Sequence, residues 1–179
     1  ILWVGINPLC GVLSLLSLLL YTLVYTPSKK ITPFSVLIGA FPGAFPPLLG
    51  WVAGRNEIGM EALLLYAIQF IWQFPHFWAI AWVLDDDYKK AGFKLLPSKG
   101  GKDLNSAIQI MIYTLFLLPL CWVPYYLQMT KIDSAVIAML CGILFLAQTL
   151  YLMKERSKKA AMSLMFGSFL YLPIVQIAY

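Results

Sequence analysis

Residues 69–97 read QFIWQFPHFWAIAWVLDDDYKKAGFKLLP, and this segment decides how the rest of the chain is interpreted. The uncharged run from 62 to 84 covers its first half and is long enough to cross a bilayer as a helix, which takes about 20 apolar residues. Asp85, Asp86 and Asp87 follow immediately. The segment therefore predicts a membrane helix, with the single histidine of the chain in it, that ends in an acidic loop at the membrane boundary.

The composition of the whole chain is that of a membrane protein. Hydrophobic residues make up 61% of it and charged residues 12%, with a mean hydropathy of +0.80. Only helices fit such long apolar runs, because every backbone polar group must be paired within the hydrocarbon. Membrane-spanning helices are predicted at about 1–25, 33–54, 58–84, 107–128, 134–153 and 160–179. The predicted fold class is all-α integral membrane, with six transmembrane helices in a single membrane domain over 1–179.

The basic residues alternate from loop to loop. Eleven of the thirteen lysines and arginines lie in the first, third and fifth loops, while the second and fourth hold only Arg55 and Lys131. Positive charge collects on the cytoplasmic side of membrane proteins, so the first, third and fifth loops are predicted to be cytoplasmic. This orientation also accounts for the net charge of +5, and because no basic stripe lies on a soluble domain, we expect no nucleic acid partner.

The second span, residues 33–54, has a composition that is unusual for a lipid-facing helix. Gly39 and Gly43 are separated by one helical turn, and Pro42, Pro46 and Pro47 remove three backbone donors. Small residues allow helices to pack closely, and prolines are tolerated where neighbours satisfy the freed carbonyls. Two interpretations stay open, a tightly packed helix and a broken helix that lines a cavity.

Polar residues of the third span share one helical face. At 100° per residue, Gln69, Gln73 and His76 lie together, and Asp87 would fall within about 20° of His76 if the helix continued. Burying such groups in lipid is costly, which makes them a functional-site candidate. The alternative is a cluster of hydrogen bonds between helices.

The three adjacent aspartates suggest a cation site. Neighbouring carboxylates repel each other, and either a divalent cation or nearby lysines relieve that repulsion. Mg²⁺ prefers one or two carboxylates together with substrate phosphates, and Lys89, Lys90 and Lys94 could meet a diphosphate as point charges. The alternative is a solvated loop that neutralises itself, and spacing alone does not decide between the two.

Four longer motifs carry a family resemblance. They are YTPSKKITP at 25–33, GAFPGAFPPLLGW at 39–51, FIWQFPHFWAIAW at 70–82 and DDYKKAGFKLLP at 86–97. With these motifs in this order, the chain resembles the protohaem IX farnesyltransferase (haem O synthase) family of UbiA-type intramembrane prenyltransferases. The resemblance implies a bundle of nine transmembrane helices around a central cavity, with two aspartate-bearing cytoplasmic loops that hold Mg²⁺ and a prenyl diphosphate.

The chain resembles helices four to nine of that bundle. Three helices and the first aspartate-bearing loop are therefore expected to precede it, and this N-terminally truncated chain is expected to be incomplete as an enzyme on its own. The implied reaction transfers the farnesyl group of farnesyl diphosphate to a vinyl group of haem B, giving haem O for terminal oxidases. The implied location is the lipid bilayer of the bacterial cytoplasmic membrane, with haem A synthase or oxidase assembly as partners.

Two other functions stay open. One is a UbiA-type prenyltransferase that acts on an aromatic quinone precursor, since it would share the acidic loops. The other is a transporter, for which broken helices and an intramembrane histidine would also be expected. The full DDYKKAGFKLLP segment at 86–97 favours the enzyme.

The resemblance assigns catalytic roles to the polar loops. Asp87 matches the acid of the family's DY motif and is expected to bind Mg²⁺ and diphosphate, followed by Asp86 and then Asp85. Lys29 and Lys30 match the basic pair after the YTP turn and are expected to contact the diphosphate.

The resemblance also places residues at the substrates. His76 matches the histidine of the PHFW motif and is predicted to contact haem, either as an axial ligand or beside a polar edge. Gln73 and Trp72 are predicted to bind beside it, and Lys89 and Lys94 are predicted on the diphosphate side.

Overall fold

The computed structural model describes residues 1–32, 35–98 and 101–179, with the backbone alone for Lys30 and Ile31. All regular structure in these ranges is helical, which confirms the all-α class. Six stretches are long and apolar enough to cross a membrane, namely Pro8–Lys29, Ser35–Arg55, Met60–Val83, Leu104–Tyr126, Ile132–Glu155 and Lys158–Ala178.

The chain divides into two compact units, Ile1–Phe70 and Ile71–Tyr179. The helices of the first unit are α1 (Leu2–Gly5), α2 (Pro8–Leu19), a π-helical turn (Leu20–Tyr25), α3 (Thr26–Ile31), α4 (Ser35–Gly43), α5 (Phe45–Arg55) and the start of α6 (Met60–Val83). The second unit holds the rest of α6, α7 (Asp85–Lys90), α8 (Leu104–Leu120), α9 (Val123–Tyr126), α10 (Ile132–Glu155) and α11 (Lys158–Ala178).

Asn7 sets the start of the first span. Its side chain accepts a hydrogen bond from the Cys10 backbone N–H at 2.8 Å and donates one to the Val52 carbonyl at 2.9 Å. A capping residue followed by proline favours a helix start, since proline has no N–H to leave unpaired in the first turn. The run expected as one helix over 1–25 is for this reason divided before Pro8.

The second span is interrupted at Ala44, between α4 and α5. Pro46 and Pro47 have no N–H, so the carbonyls of Pro42 and Gly43, four residues earlier, lose their usual helical donors. A backbone carbonyl that has no hydrogen-bond donor within a membrane span is energetically costly. The break therefore needs donors from other helices.

Side chains of neighbouring helices supply those donors. The Ser17 hydroxyl donates to the Pro42 carbonyl at 3.2 Å, and Gln69 Nε2 donates to the Gly43 carbonyl at 3.5 Å. Gln69 therefore takes part in hydrogen bonding between helices, one of the two interpretations of the polar face of the third span.

Close packing occurs in the same span. A Cβ added at Gly39 would lie 2.6 Å from Cε2 of Tyr25, so the Tyr25 ring lies directly on the glycine. Small residues at such positions let helices approach each other. The second span thus combines a tightly packed glycine with a break.

Aromatic stacking and close backbone approach hold the second unit together. Phe74 of α6 stacks on Tyr113 of α8 with ring centroids 4.3 Å apart, and Phe145 of α10 stacks on Tyr171 of α11 at 5.3 Å. A Cβ added at Gly142 of α10 would lie 2.7 Å from a leucine side chain of α8. These contacts fix α6 and α11 as the frame for the polar residues described next.

Helix α8 begins at Leu104, before the start expected at 107. Asp103 precedes it in an extended conformation, and its carboxylate accepts a hydrogen bond from the Ser106 backbone N–H at 2.8 Å. This N-cap satisfies an otherwise unpaired donor of the first turn. The cap extends the helix toward the acidic segment.

Candidate active site

His76 lies inside α6, and its residue is only 6% exposed. Its Nδ1 atom lies 2.7 Å from the Ser168 hydroxyl of α11. Trp72, one turn earlier on α6, donates its indole N–H to the Ser168 carbonyl at 3.0 Å. Two side chains of one helix therefore bind the same residue of another, which fixes the histidine relative to α11.

Aromatic rings surround the imidazole. Trp72 stacks on it with ring centroids 4.3 Å apart and planes 15° from parallel. Phe169 and Phe77 present their edges at 5.0 and 5.2 Å. Such contacts restrict the rotation of a ring beyond what its hydrogen bond does. The imidazole is therefore held in one orientation by apolar walls and a single hydroxyl.

The three aspartates lie in the first turn of the short helix α7, after a break at Leu84. The expectation of an acidic loop is therefore corrected. Carboxylates in a first turn and lysines in a last turn both interact favourably with the helix dipole, which explains why this segment is helical. The break also means that the helical face of His76 does not continue unbroken to Asp87.

The carboxylates of α7 differ in their surroundings. Asp85 is buried, and its Oδ2 lies 2.7 Å from Lys89 Nζ and 3.9 Å from Lys102 Nζ. The Asp86 side chain is 76% exposed and lies 3.3 Å from Lys102 Nζ. The Asp87 side chain is 73% exposed and lies 3.6 Å from Lys90 Nζ. Only the first of the three is thus enclosed.

The segment before α8 carries Lys102 to the acidic helix. Gly101 has a φ of 80°, a conformation that favours glycine, and a Cβ added there would lie 3.5 Å from Lys89 Nζ. The Ser106 hydroxyl donates to the Gly101 carbonyl at 2.7 Å, and the Ser98 hydroxyl donates to Asp103. We call residues Ser98 and 101–106 the capping segment.

Two pKa values reflect this arrangement. The hydrogen bond to Asp85 and the charge of its carboxylate raise the pKa of Lys89. Burial by itself would raise the pKa of Asp103, but the hydrogen bonds from Ser98 and Ser106 to its carboxylate outweigh that effect, and the pKa is lowered. Lys89 and Asp103 therefore carry their charges more firmly than free side chains do.

Residues 1–172 match the family profile described as the UbiA prenyltransferase family. The chain belongs to this family. Its six apolar spans make it a multi-pass membrane protein of the family. No solved structure matches the chain.

Several curated relatives in the family are similar over most of the chain. Protoheme IX farnesyltransferase of Cytophaga hutchinsonii is 63% identical over 168 residues, which is 94% of this chain and 59% of that protein. The proteins of the same name from Flavobacterium psychrophilum and Christiangramia forsetii are 46% and 45% identical over 179 residues, which is 97% of this chain and again 59% of each relative. The chain thus spans about three-fifths of the length of the relatives that it matches.

The aspartates of the acidic helix α7 can be compared with what a Mg²⁺ site requires. Within the described ranges, no three His, Cys, Asp or Glu side chains come together as a metal-binding group. Asp86 and Asp87 are exposed and lie 3.3 and 3.6 Å from lysines, so their oxygens suit Mg²⁺, which takes one or two carboxylates and phosphate oxygens. Asp85 fits less well, because its carboxylate is enclosed and paired with Lys89.

The other predicted residues are placed as follows. Lys29 lies in the first unit with its Nζ 4.3 Å from the centroid of the Tyr25 ring, a cation–π contact. The side chain of Lys30 lies outside the described residues. Gln73 is buried in α6 at 2% exposure, and Lys94 is exposed after α7. Their predicted roles in the family reaction stay predictions.

Sequence reasoning missed Ser168 and Phe169, which contact His76, and the pairing of Lys102 with the acidic helix. A serine in an apolar span is itself a signal, because its hydroxyl needs a partner there. The partner could not be identified, since His76 and Ser168 are 92 residues apart. Lys102 was recognised only as one of several basic residues in its loop.

Proposed function

We propose that the protein transfers the farnesyl group of farnesyl diphosphate to a vinyl group of haem B and so makes haem O. The names of the relatives support this choice of substrates. The observation that carries the proposal is the arrangement along one span. A buried imidazole with aromatic walls lies within α6, and an acidic, lysine-rich helix follows its end.

The imidazole suits the porphyrin. A histidine nitrogen is a common axial ligand of haem iron, and flat aromatic rings such as Trp72 and Phe169 favour a flat apolar substrate. Apolar walls also keep water from a carbocation that forms nearby. His76 would thus hold the haem and would not itself take part in bond breaking.

The acidic helix suits the diphosphate. Farnesyl diphosphate ionises when its allylic carbon–oxygen bond breaks, and the diphosphate leaves with the electron pair. Lys89, Lys90 and Lys94 would stabilise that developing charge as point charges. Mg²⁺ held by Asp86 and Asp87 would neutralise further negative charge on the phosphate oxygens.

In the transfer step, the haem vinyl group replaces the diphosphate on the allylic carbon of the farnesyl group. The π electrons of a haem vinyl group form the new bond to the allylic carbon, which leaves a cation beside the porphyrin ring. Water adds to that cation and loses a proton, giving the hydroxyethylfarnesyl side chain.

The location follows from charge. With the basic loops on the inner side, α7 would face the cytoplasm of a bacterial cell, where soluble farnesyl diphosphate is available. The helices would lie in the cytoplasmic membrane. Haem O released there would pass to haem A synthase or to oxidase assembly, which we propose as partners.

The test is mass spectrometry of haems extracted from cells that make the full-length protein, either wild type or Asp87→Asn. The wild type should produce haem O, and the variant should lose it because the Mg²⁺ that binds the diphosphate would lack one of its carboxylate ligands. Asp133→Asn, at an exposed aspartate that begins another span, is the matched control and should keep the product.

Each other result has a defined meaning. Equal haem O from the wild type and Asp87→Asn would overturn the role of Asp87 and keep the reaction. Absence of haem O from a well-folded wild type would overturn the reaction, and a prenylated quinone precursor in its place would identify the other type of UbiA prenyltransferase.

A further inference from the structure

We propose that Ser168 is a positioning residue that holds His76 with its proton on Nδ1, so that the unprotonated Nε2 is the atom presented to haem iron. This inference rests on the proposed function. It is supported by two hydrogen bonds of the Ser168 hydroxyl, one with His76 Nδ1 and one with the Met165 carbonyl, which together determine which atom carries each proton.

The proton count around Ser168 is restrictive. A serine hydroxyl has one proton to donate and two lone pairs with which to accept. Ser168 Oγ lies 2.6 Å from the Met165 carbonyl oxygen, which has no proton of its own. Ser168 must therefore donate to Met165, and it is left as an acceptor toward His76.

His76 must then be the donor in the second bond. Its Nδ1 lies 2.7 Å from Ser168 Oγ, a normal hydrogen-bond distance. If the serine donated to Nδ1 instead, its oxygen and the Met165 carbonyl oxygen would face each other at 2.6 Å without a proton between them. Only a proton on Nδ1 satisfies both short contacts.

The charge state of the ring follows from its surroundings. In the described part of the chain, no carboxylate forms an ion pair with His76. An unpaired imidazolium among Trp72, Phe77 and Phe169 would be costly, since burying an isolated charge is strongly unfavourable. A neutral ring that carries its proton on Nδ1 has a free lone pair on Nε2.

The surrounding contacts keep the ring from turning over. Trp72 stacks on the imidazole and also donates to the Ser168 carbonyl, so the serine and the ring are tied to the same side chain. A flip of the ring would place a carbon against the serine oxygen and lose the bond at Nδ1. Metal-binding histidines commonly donate their other N–H in this way, which fixes both the tautomer and the orientation of the ring.

The first experiment needs no haem. Solid-state NMR of [¹⁵N]histidine-labelled full-length protein in lipid, with the His76 signals assigned from a His76→Gln variant, should show a protonated Nδ1 and an unprotonated Nε2. Ser168→Ala should shift the population toward the other tautomer, and Ser168→Thr should keep the wild-type pattern because it keeps the hydroxyl. A protonated Nε2 in the wild type would overturn the inference, even if neither serine variant folds.

The second experiment adds haem B and follows its absorption spectrum. Ser168→Ala should weaken binding by about 10- to 100-fold, the range for loss of an outer partner of a metal ligand, and Ser168→Thr should restore it. Thr149→Val is the matched control, since Thr149 is another fully buried hydroxyl residue that donates to a carbonyl three residues earlier. It should leave the spectrum unchanged.

The two experiments separate the two levels of the proposal. If His76→Gln leaves haem affinity and spectrum unchanged, His76 does not bind iron and the haem site of the proposed function fails, whatever the tautomer. If His76→Gln abolishes the spectrum while Ser168→Ala changes neither the tautomer nor the affinity, the haem site stands and the role of Ser168 is overturned.

Discussion

His76 and the aspartates of the acidic helix α7 differ in how far they are buried and in how they are held. His76 is almost fully enclosed and is held by a hydroxyl and by aromatic rings at fixed angles. Asp86 and Asp87 are mostly exposed, and each lies near a lysine at more than 3 Å. Enclosed neutral contacts fix one geometry, whereas exposed ion pairs are weak and can be exchanged. The proposed function would require this difference, because haem is a rigid planar substrate and the diphosphate is a charged, metal-bound one.

The largest effect is expected from Trp72→Ala, which would remove the ring stacked on His76 and the donor to Ser168. Loss of a large buried aromatic side chain costs about 3–5 kcal/mol of stability. Thermal unfolding in detergent would measure the change. Phe166→Ala, at a side chain that is 57% exposed, is the control, and equal small losses in the two variants would contradict the fixed character of the His76 region.

A smaller loss of stability is expected from a change at the N-cap of α8, in the capping segment. Asp103→Ala removes the N-cap of that helix, and such a change costs about 1 kcal/mol. The same unfolding measurement applies, with Asp133→Ala as the control, because Asp133 lies in a first turn and is not the N-cap residue. Unchanged stability in Asp103→Ala would show that the capping segment does not depend on this carboxylate.

The acidic helix should tolerate the loss of an ion pair. Lys102→Met removes the contacts to Asp85 and Asp86, and pairs of this kind contribute about 0–1 kcal/mol. Added salt should reduce the difference between variant and wild type further, because it screens exposed charges. Lys131→Met is the matched control. A loss well above this range would mean that α7 is as rigid as the His76 region.

The smallest expected effect is a dependence of the stability on pH. The pKa of Asp103 is lowered in the folded protein, so its contribution to stability is present above the ordinary aspartate pKa of 3.8 and is lost as the pH falls through the lower folded pKa. Asp103→Asn keeps a capping side chain but cannot titrate. Unfolding curves at pH 5 and pH 3 should therefore differ less in the variant than in the wild type, and equal differences would refute the lowered pKa.

Much of the fold could be predicted because a segment that crosses a lipid bilayer must be a long apolar helix. Long uncharged runs fixed the class and the approximate spans. Two local signals in the sequence also indicate where helices begin and which side chains pair. Asn7 before Pro8 is a helix-start signal, and Asp85 with Lys89 is a favourable pair at helical spacing.

The rest of the candidate site depends on distant contacts. The bond between His76 and Ser168 requires α6 and α11 to pack at one register, which no local pattern contains. The contact of Lys102 with Asp86 depends on the backbone conformation of Gly101. The sequence therefore identified His76 and the aspartates as candidates but could not identify the partners that set their chemistry.

The π-helical turn at Leu20–Tyr25 has a consequence for how this chain can vary. A turn of this kind contains one residue more than an α-helical turn for about the same rotation, so the extra residue does not change the side of the helix on which the following residues lie. Deleting one residue from this turn would therefore restore ordinary α-helical winding and leave Lys29 on the same side, whereas a deletion within Pro8–Leu19 would rotate Lys29 by about 100° about the helix axis. The chain can thus change its length by one residue at this turn without redirecting the residues that follow it.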